Sequence, residues 1–390
     1  MPAGGERVQL ALKTAPAKLD ASWHDRWLSW RDRLLASGRF QRWAAGFPLT
    51  RKVAQKRAQS LFDLCAGFVY SQVLLACVEL RLFDILAERP QTLAELSRRL
   101  SLTPKATGRL LNAAAALRLA ERRDGGRFGL GVLGAALRGN PAISAMIEHH
   151  ALLYQDLRDP VALLRGREPP TALAKYWPYA RADRPDALNA DEVAEYSALM
   201  TASQLLIAED VLDAWPFARH RCLLDVGGGE GGFLIAAARR APRLRLMLHD
   251  LPAVADRARA RLAGADLADR TTVSGGDFFT QPLPRGADLV TLVRVLHDHD
   301  DADVVALLRN VRSVLPDDGA LLIAEPMSGG AETNVIGDAY FGFYLLAMGS
   351  GKARTPAELA PLLRETGFDG GRTLPTRRPM LTAAVVALPR

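Results

Sequence analysis

The spacing of apolar positions changes character along the chain. Trp23, Trp27 and Trp30 recur four and three residues apart, with Arg26, Arg31 and Arg33 among them, and predict a helix with an aromatic face. Residues 60–87 read as one long apolar helix with an expected break near Gly67. Thr92 and Thr103 are suited to cap two further helices, the second opening on Pro104 and burying Leu110, Leu111, Ala114 and Leu117. Asp124-Gly125-Gly126 then predicts a tight turn between short strands. This order is winged-helix-like. Lys105, Thr107, Arg109 and Asn112 are available to a nucleic acid, but Ala113 to Leu117 leaves little to read bases. A structural or dimerising role is expected, and no nucleic-acid partner.

Residues 141–220 are expected to be mostly helical, with a break at 165–170. From Arg221 short apolar runs alternate with amphipathic segments. Strands are predicted at 222–226, 244–248, 271–273, 288–296, 320–324 and 379–388, and helices at 232–240, 252–262, 304–315, 336–348 and 356–366. The pattern predicts an α/β fold around a mainly parallel sheet. Four regions follow: an extension at 1–59, a winged-helix-like module at 60–140, a helical linker and acceptor-pocket region at 141–220, and a ligand-binding catalytic domain at 221–390.

Composition narrows the class. With 390 residues, 49% hydrophobic and 24% charged, the chain is neither disordered nor a multi-span membrane protein. Cys65, Cys77 and Cys222 are too few for a disulfide framework or a zinc site, so no metal is expected. The charge-free stretch from Leu64 to Val78 is short for a span and reads as a buried helix, which points to a cytoplasmic protein. Residues 1–60 hold twelve Lys or Arg against four Asp or Glu, while the whole chain carries +7. The basic excess shares that segment with Trp23, Trp27, Trp30, Phe40, Trp43 and Phe47, a composition suited to peripheral contact with an anionic membrane through residues 20–59, or to packing on protein.

The chemistry concentrates after the first predicted strand of the α/β region. Gly227, Gly229 and Gly232 form G-x-G-x-x-G between strand and helix, and Asp250 ends the next strand, placed for ribose hydroxyls. Asp225 and Glu230 flank the loop. Two carboxylates there disfavour the pyrophosphate of a dinucleotide and favour a cationic adenosyl cofactor, S-adenosyl-L-methionine. Asp277 adds an acid at the adenine end. The fourth strand runs into Arg294 and His297-Asp298, close to the carboxyl ends where such sheets bind ligands. His297 is the candidate general base, and Asp298 or Glu325 the acid that orients it. Met146, His150, Tyr154, Tyr196, Met200, Tyr344 and Met348 are candidates to line an apolar acceptor pocket.

With these residues in hand, residues 60–390 resemble the plant-type small-molecule O-methyltransferases. The resemblance rests on Asp225 to Gly231, His249-Asp250-Leu251-Pro252, Gly276-Asp277-Phe278-Phe279, Leu296-His297-Asp298 and Glu325. It implies a Rossmann-like S-adenosylmethionine domain behind a winged-helix dimerisation domain, a homodimer, and cofactor contacts at Asp225, Gly227, Gly229, Glu230, Asp250, Leu251, Gly276, Asp277, Phe278 and Arg294. Phe62-Asp63-Leu64, Gly67 to Gln72 and Gly349-Ser350-Gly351-Lys352 are similar to the carotenoid branch of that family, which implies the tertiary 1-hydroxyl of an acyclic carotenoid as acceptor. Phenolic members carry a second glutamate where this chain has Ala353, a polar residue where it has Met348, and a tryptophan where it has His299. A phenolic acceptor is the alternative. A nicotinamide-dependent oxidoreductase and an S-adenosylmethionine-sensing regulator are the remaining rivals.

Overall fold

A computed structural model describes residues 22–166, 170–177, 199, 200, 204, 207–329 and 335–390. The chain divides into two compact units, residues 1–72 and 73–390. The boundary falls inside a helix, thirteen residues past the position the sequence suggests.

In the first unit, α1 (Trp23–Ala36) and α2 (Gly38–Gly46) are capped by Ser22 and Ser37, whose hydroxyls accept from the His24 and Phe40 backbone N–H groups. Neither helix buries its aromatic side chains. Trp23 is 80% exposed, Trp27 49%, Trp30 54% and Trp43 53%, and Trp43 stacks between Phe40 and Phe47. The next helix, α3 (Pro48–Glu79), begins twelve residues before the predicted start and passes through Gly67 without a break. The stretch 64–78 reads as buried, and Leu75, Cys77 and Val78 are, but Leu64, Phe68 and Val69 are exposed, as are Leu61 and Phe62 just before it. By length and composition alone α3 could also cross a membrane.

The break comes instead at Arg81, which takes a left-handed conformation (φ 52°) and starts α4 (Leu82–Glu88). The predicted winged-helix pattern follows, with β1 (Gln91–Thr92), α5 (Leu93–Arg99), α6 (Pro104–Ala116), β2 (Ala120–Arg123), β3 (Arg127–Leu130) and α7 (Val132–Arg138). Thr92 and Glu95 form a reciprocal cap on α5, and Thr103 caps α6 ahead of Pro104. The strands pair antiparallel in the order β1-β3-β2 over a core of Leu82, Phe83, Leu96, Leu111, Ala114 and Phe128. Leu110 and Leu117 are only half-buried. Three helices come next: α8 (Pro141–Asp156), α9 (Pro160–Leu164) and α10 (Ala172–Tyr176).

The α/β region contains β4 (Cys222–Val226), α11 (Gly232–Arg240), β5 (Arg245–Asp250), α12 (Pro252–Gly264), β6 (Thr271–Gly275), β7 (Leu289–Val293), α13 (Asp301–Val314), β8 (Ala320–Glu325), a π-helical turn (Val335–Phe341) that runs into α14 (Gly342–Met348), α15 (Pro356–Glu365), β9 (Arg372–Leu374) and β10 (Ala383–Ala387). The sheet order is β6-β5-β4-β7-β8-β10-β9, with parallel pairing from β6 through β8 and β10 antiparallel to both its neighbours. Every residue of β4, β7 and β8 is buried. Helices cover both faces, so Leu223 packs in one core and Leu224 in the other, which explains the continuous apolar runs. Two predictions differ. The final strand starts at Ala383 rather than 379, preceded by the unpredicted β9. The strand expected at 288–296 stops at Val293, because Arg294 adopts φ 59° and turns the chain.

Candidate functional site

The glycine loop leaves the carboxyl end of β4. Gly227 (φ 67°) and Gly229 (φ 58°) take conformations that disfavour a side chain, and a Cβ on Gly227 would lie 2.8 Å from Val295. Asp250, at the end of β5, anchors the loop: its Oδ2 accepts from the Gly229 N–H at 2.8 Å and its Oδ1 from the Leu251 N–H at 2.7 Å. Each oxygen keeps a second lone pair for a ligand hydroxyl. Burial pushes the Asp250 pKa up to about 6. Asp277 fixes the neighbouring turn, accepting from Phe279 N–H and the Thr280 hydroxyl. Gly227, Gly229, Asp250, Leu251, Asp277, Phe278, Arg294 and Asp298 all face one cavity.

Three expected cofactor residues do not line that cavity. Asp225 lies behind the loop, its Oδ1 accepting from the Thr291 hydroxyl at 2.6 Å and its Oδ2 2.6 Å from where a Cβ on Gly228 would sit. Burial raises its pKa to about 7, and Oδ2 has no hydrogen-bond partner among the described residues. Glu230 turns toward α12, where Arg257 (2.7 Å) and Arg261 (3.2 Å) pair with it. Gly276 makes room for Gln281 and His249. The acidic wall expected from Asp225 and Glu230 is therefore supplied by Asp250, Asp277 and Asp298.

Beyond Arg294 the chain forms a single 3₁₀ turn, Leu296–Asp298, rather than the rigid strand end expected for His297. Glu325, at the end of β8, organises it. Its Oε1 accepts from Val295 N–H (2.9 Å) and Leu296 N–H (2.7 Å), and its Oε2 lies 2.5 Å from His297 Nδ1. Asp298 Oδ1 lies 3.2 Å from the other ring nitrogen, Nε2. Burial alone would lower the His297 pKa, but the carboxylates of Asp298 and Glu325 carry it above its ordinary value. Of the two acids weighed as the orienting group, Glu325 holds Nδ1. It does so with no carboxylate at Ala353.

The stretch after α14 closes over this turn. Lys352 N–H donates to the His297 carbonyl at 2.8 Å, and a Cβ on Gly351 would collide with that carbonyl. Arg354, 5% exposed, donates to the Leu296 carbonyl (2.9 Å) and the His299 carbonyl (2.8 Å) and pairs with Asp301. Sequence reasoning missed Arg354. An arginine three residues past a glycine carries no periodic signal.

A second, smaller cavity faces His297. Met146, Met200, Tyr344 and Met348 line it, joined by Trp177, Tyr340 and Phe341. Those three were missed, although the aromatic run at 340–344 was visible. Met200, Arg294 and Asp298 belong to both cavities, so the two meet beside His297. His150 and Tyr154 stand behind the wall: His150 Nε2 lies 2.6 Å from the Tyr340 hydroxyl, and Tyr154 packs on the His150 ring. Tyr196 lies outside the described residues.

Residues 154–369 match the O-methyltransferase domain and residues 62–137 the O-methyltransferase dimerisation domain. The chain belongs to the O-methyltransferase family, and it is an S-adenosylmethionine-dependent enzyme that forms a homodimer. Among its relatives, the demethylspheroidene O-methyltransferase of Cereibacter sphaeroides is 47% identical over 91% of this chain and 93% of its own length. That of Rhodobacter capsulatus is 41% identical over 91% and 88%. The solved structure of CalO1, a methyltransferase in calicheamicin biosynthesis in its SAH-bound form, is similar with a TM-score of 0.71 and 29% identity, over 86% of this chain and 99% of that one. The exposed Phe62, Leu64, Phe68 and Val69 fall within the dimerisation match. The residues present fit the cofactor. Asp250 has lone pairs for ribose hydroxyls, Gly227 admits no side chain, and the cavity wall is acidic.

Proposed function

We propose that this chain methylates the tertiary 1-hydroxyl of an acyclic hydroxycarotenoid, with His297 as the base. The observation that carries the reading is His297, held by Glu325, at the meeting point of an acid-walled cavity and one walled by Met146, Trp177, Met200, Phe341 and Met348. The two relatives named for demethylspheroidene support the acceptor class. An apolar wall with few polar anchors suits a long hydrocarbon carrying one hydroxyl.

When bound, S-adenosylmethionine supplies a methyl group already activated by its sulfonium. The protein's part is to align an acceptor oxygen and remove its proton. A tertiary alcohol is a weak acid, so its proton leaves as the new bond forms. His297 Nε2 receives it, Glu325 stabilises the resulting imidazolium through Nδ1–H, and Asp298 is the next acceptor on the way to the cavity. Asp250, Asp277 and the glycine loop hold the adenosyl part.

The acceptor's lipophilicity gives the first unit a role. The exposed Trp23, Trp27 and Trp30, interleaved with Arg26 and Arg33, form a peripheral contact with an anionic bilayer. The test of the acceptor is product mass after incubation with labelled cofactor and a panel of hydroxylated carotenoids and phenols. Label in a phenol and none in a carotenoid overturns the reading.

A further inference from the structure

The wall opposite His297 contains a buried cluster whose hydrogen-bond arithmetic does not close on itself. Tyr344 on α14 lines the acceptor cavity. Its hydroxyl oxygen accepts from Trp177 Nε1–H at 2.9 Å, and His149 Nε2, on α8, lies 2.8 Å from the same oxygen. All three side chains are buried. His149 Nδ1 has no hydrogen-bond partner among the described residues. Burial, with the neighbouring His150 second, lowers the His149 pKa to about 4, so the ring is neutral and carries one proton.

That proton has two possible positions. On Nδ1 it would be a buried, unpaired N–H donor. On Nε2 it donates to Tyr344, and only a lone pair on Nδ1 goes unused. An orphaned donor is rarer and costlier than an under-used acceptor, so Nε2 carries the proton. Both lone pairs of the Tyr344 oxygen are then filled, by Trp177 and by His149. The Tyr344 proton has no acceptor among the described residues. Burial also raises the Tyr344 pKa, so the phenol keeps that proton.

We infer that Tyr344 donates a hydrogen bond to the acceptor's hydroxyl oxygen, with Trp177 and His149 aiming its proton into the cavity that His297 faces. This rests on the proposed hydroxyl acceptor and adds how that hydroxyl is oriented. The acceptor O–H donates to His297 Nε2, one lone pair accepts from Tyr344, and the second is left for the new oxygen–carbon bond. Two fixed contacts set the direction of the third. A hydrocarbon without the hydroxyl has nothing to offer Tyr344.

Two measurements test this. In Tyr344→Phe, kcat/KM for the hydroxylated acceptor should fall on the order of tenfold, the weight of one net hydrogen bond. Competitive inhibition by the same polyene lacking the hydroxyl should stay within about twofold, the spread expected for a site losing no contact to that ligand. Equal loss for both ligands, or no loss for either, overturns the inference. Independently, nitrogen-15 NMR of wild-type His149 should report the Nε2-protonated tautomer. A proton on Nδ1 overturns it even if the phenylalanine variant fails to fold. A wild-type enzyme that labels no hydroxycarotenoid would instead count against the acceptor assignment, and the NMR result stands apart from that outcome.

Discussion

His297 sits between two carboxylates, one at each ring nitrogen, and this decides how its proton behaves. Both acids favour the imidazolium, so the Nε2 proton that turnover needs gone is held more firmly than in a free ring. Its raised pKa means kcat/KM should climb with pH through that pKa and fade below it. In Glu325→Gln the amide N–H faces Nδ1 and forces the remaining proton onto Nε2, the wrong tautomer. We expect kcat to fall by about 10²-fold or more, and the residual activity to show its acid limb at lower pH, because a charge that stabilised the imidazolium is gone. His297→Ala should cost about 10²- to 10⁴-fold in kcat while calorimetric cofactor affinity stays within about twofold, since His297 lines the acceptor cavity alone. Near-normal turnover would remove it as base. The histidine, both acids and Asp250 were legible from motif spacing. Trp177, Tyr340, Phe341 and Arg354 were not, because their roles depend on residues far away in sequence.

At the scale of elements, the catalytic turn is shaped less by its own residues than by the stretch that lies on it. Arg294 at φ 59° ends β7 early, and Arg354 and Lys352 then hold the carbonyls the turn leaves open. Gly351 has φ 93° and no room for a side chain against the His297 carbonyl. Gly351→Ala should therefore destabilise by about 2 kcal/mol or more, read as a lowered thermal midpoint. It should also depress kcat more than cofactor affinity. Unchanged midpoint and activity would mean that the turn does not depend on this contact. Periodicity placed the helices well where caps were present, as at Thr92, Thr103 and Thr355. It failed at Gly67. A glycine lowers helix propensity by only about 1 kcal/mol, which a 32-residue helix absorbs.

Over the whole molecule, charge and aromatic residues are unevenly distributed. The first unit carries the exposed tryptophans and most of the basic excess, and the second the sheet and both cavities. A Trp23→Ala/Trp27→Ala/Trp30→Ala variant should lose co-sedimentation with anionic liposomes and keep its thermal midpoint, because none of the three is buried. Wild-type binding should also weaken as salt is raised. Equal sedimentation of variant and wild type would assign these residues to packing on protein.

The sequence by itself determined what local physics can encode. Fully apolar runs require a sheet covered on both faces, glycines after a strand require a turn that admits a ligand, and Thr-Pro and Thr-x-x-Glu patterns cap helices. Tertiary structure alone decided which carboxylates line the cavity. Asp225 and Glu230 look equivalent to Asp250 on paper, but Thr291 lies 66 residues from the first, and Arg257 and Arg261 about 30 from the second. A charge acts on a ligand only when nothing nearer has taken it up, and no spacing along the chain records which partner the fold brings closest.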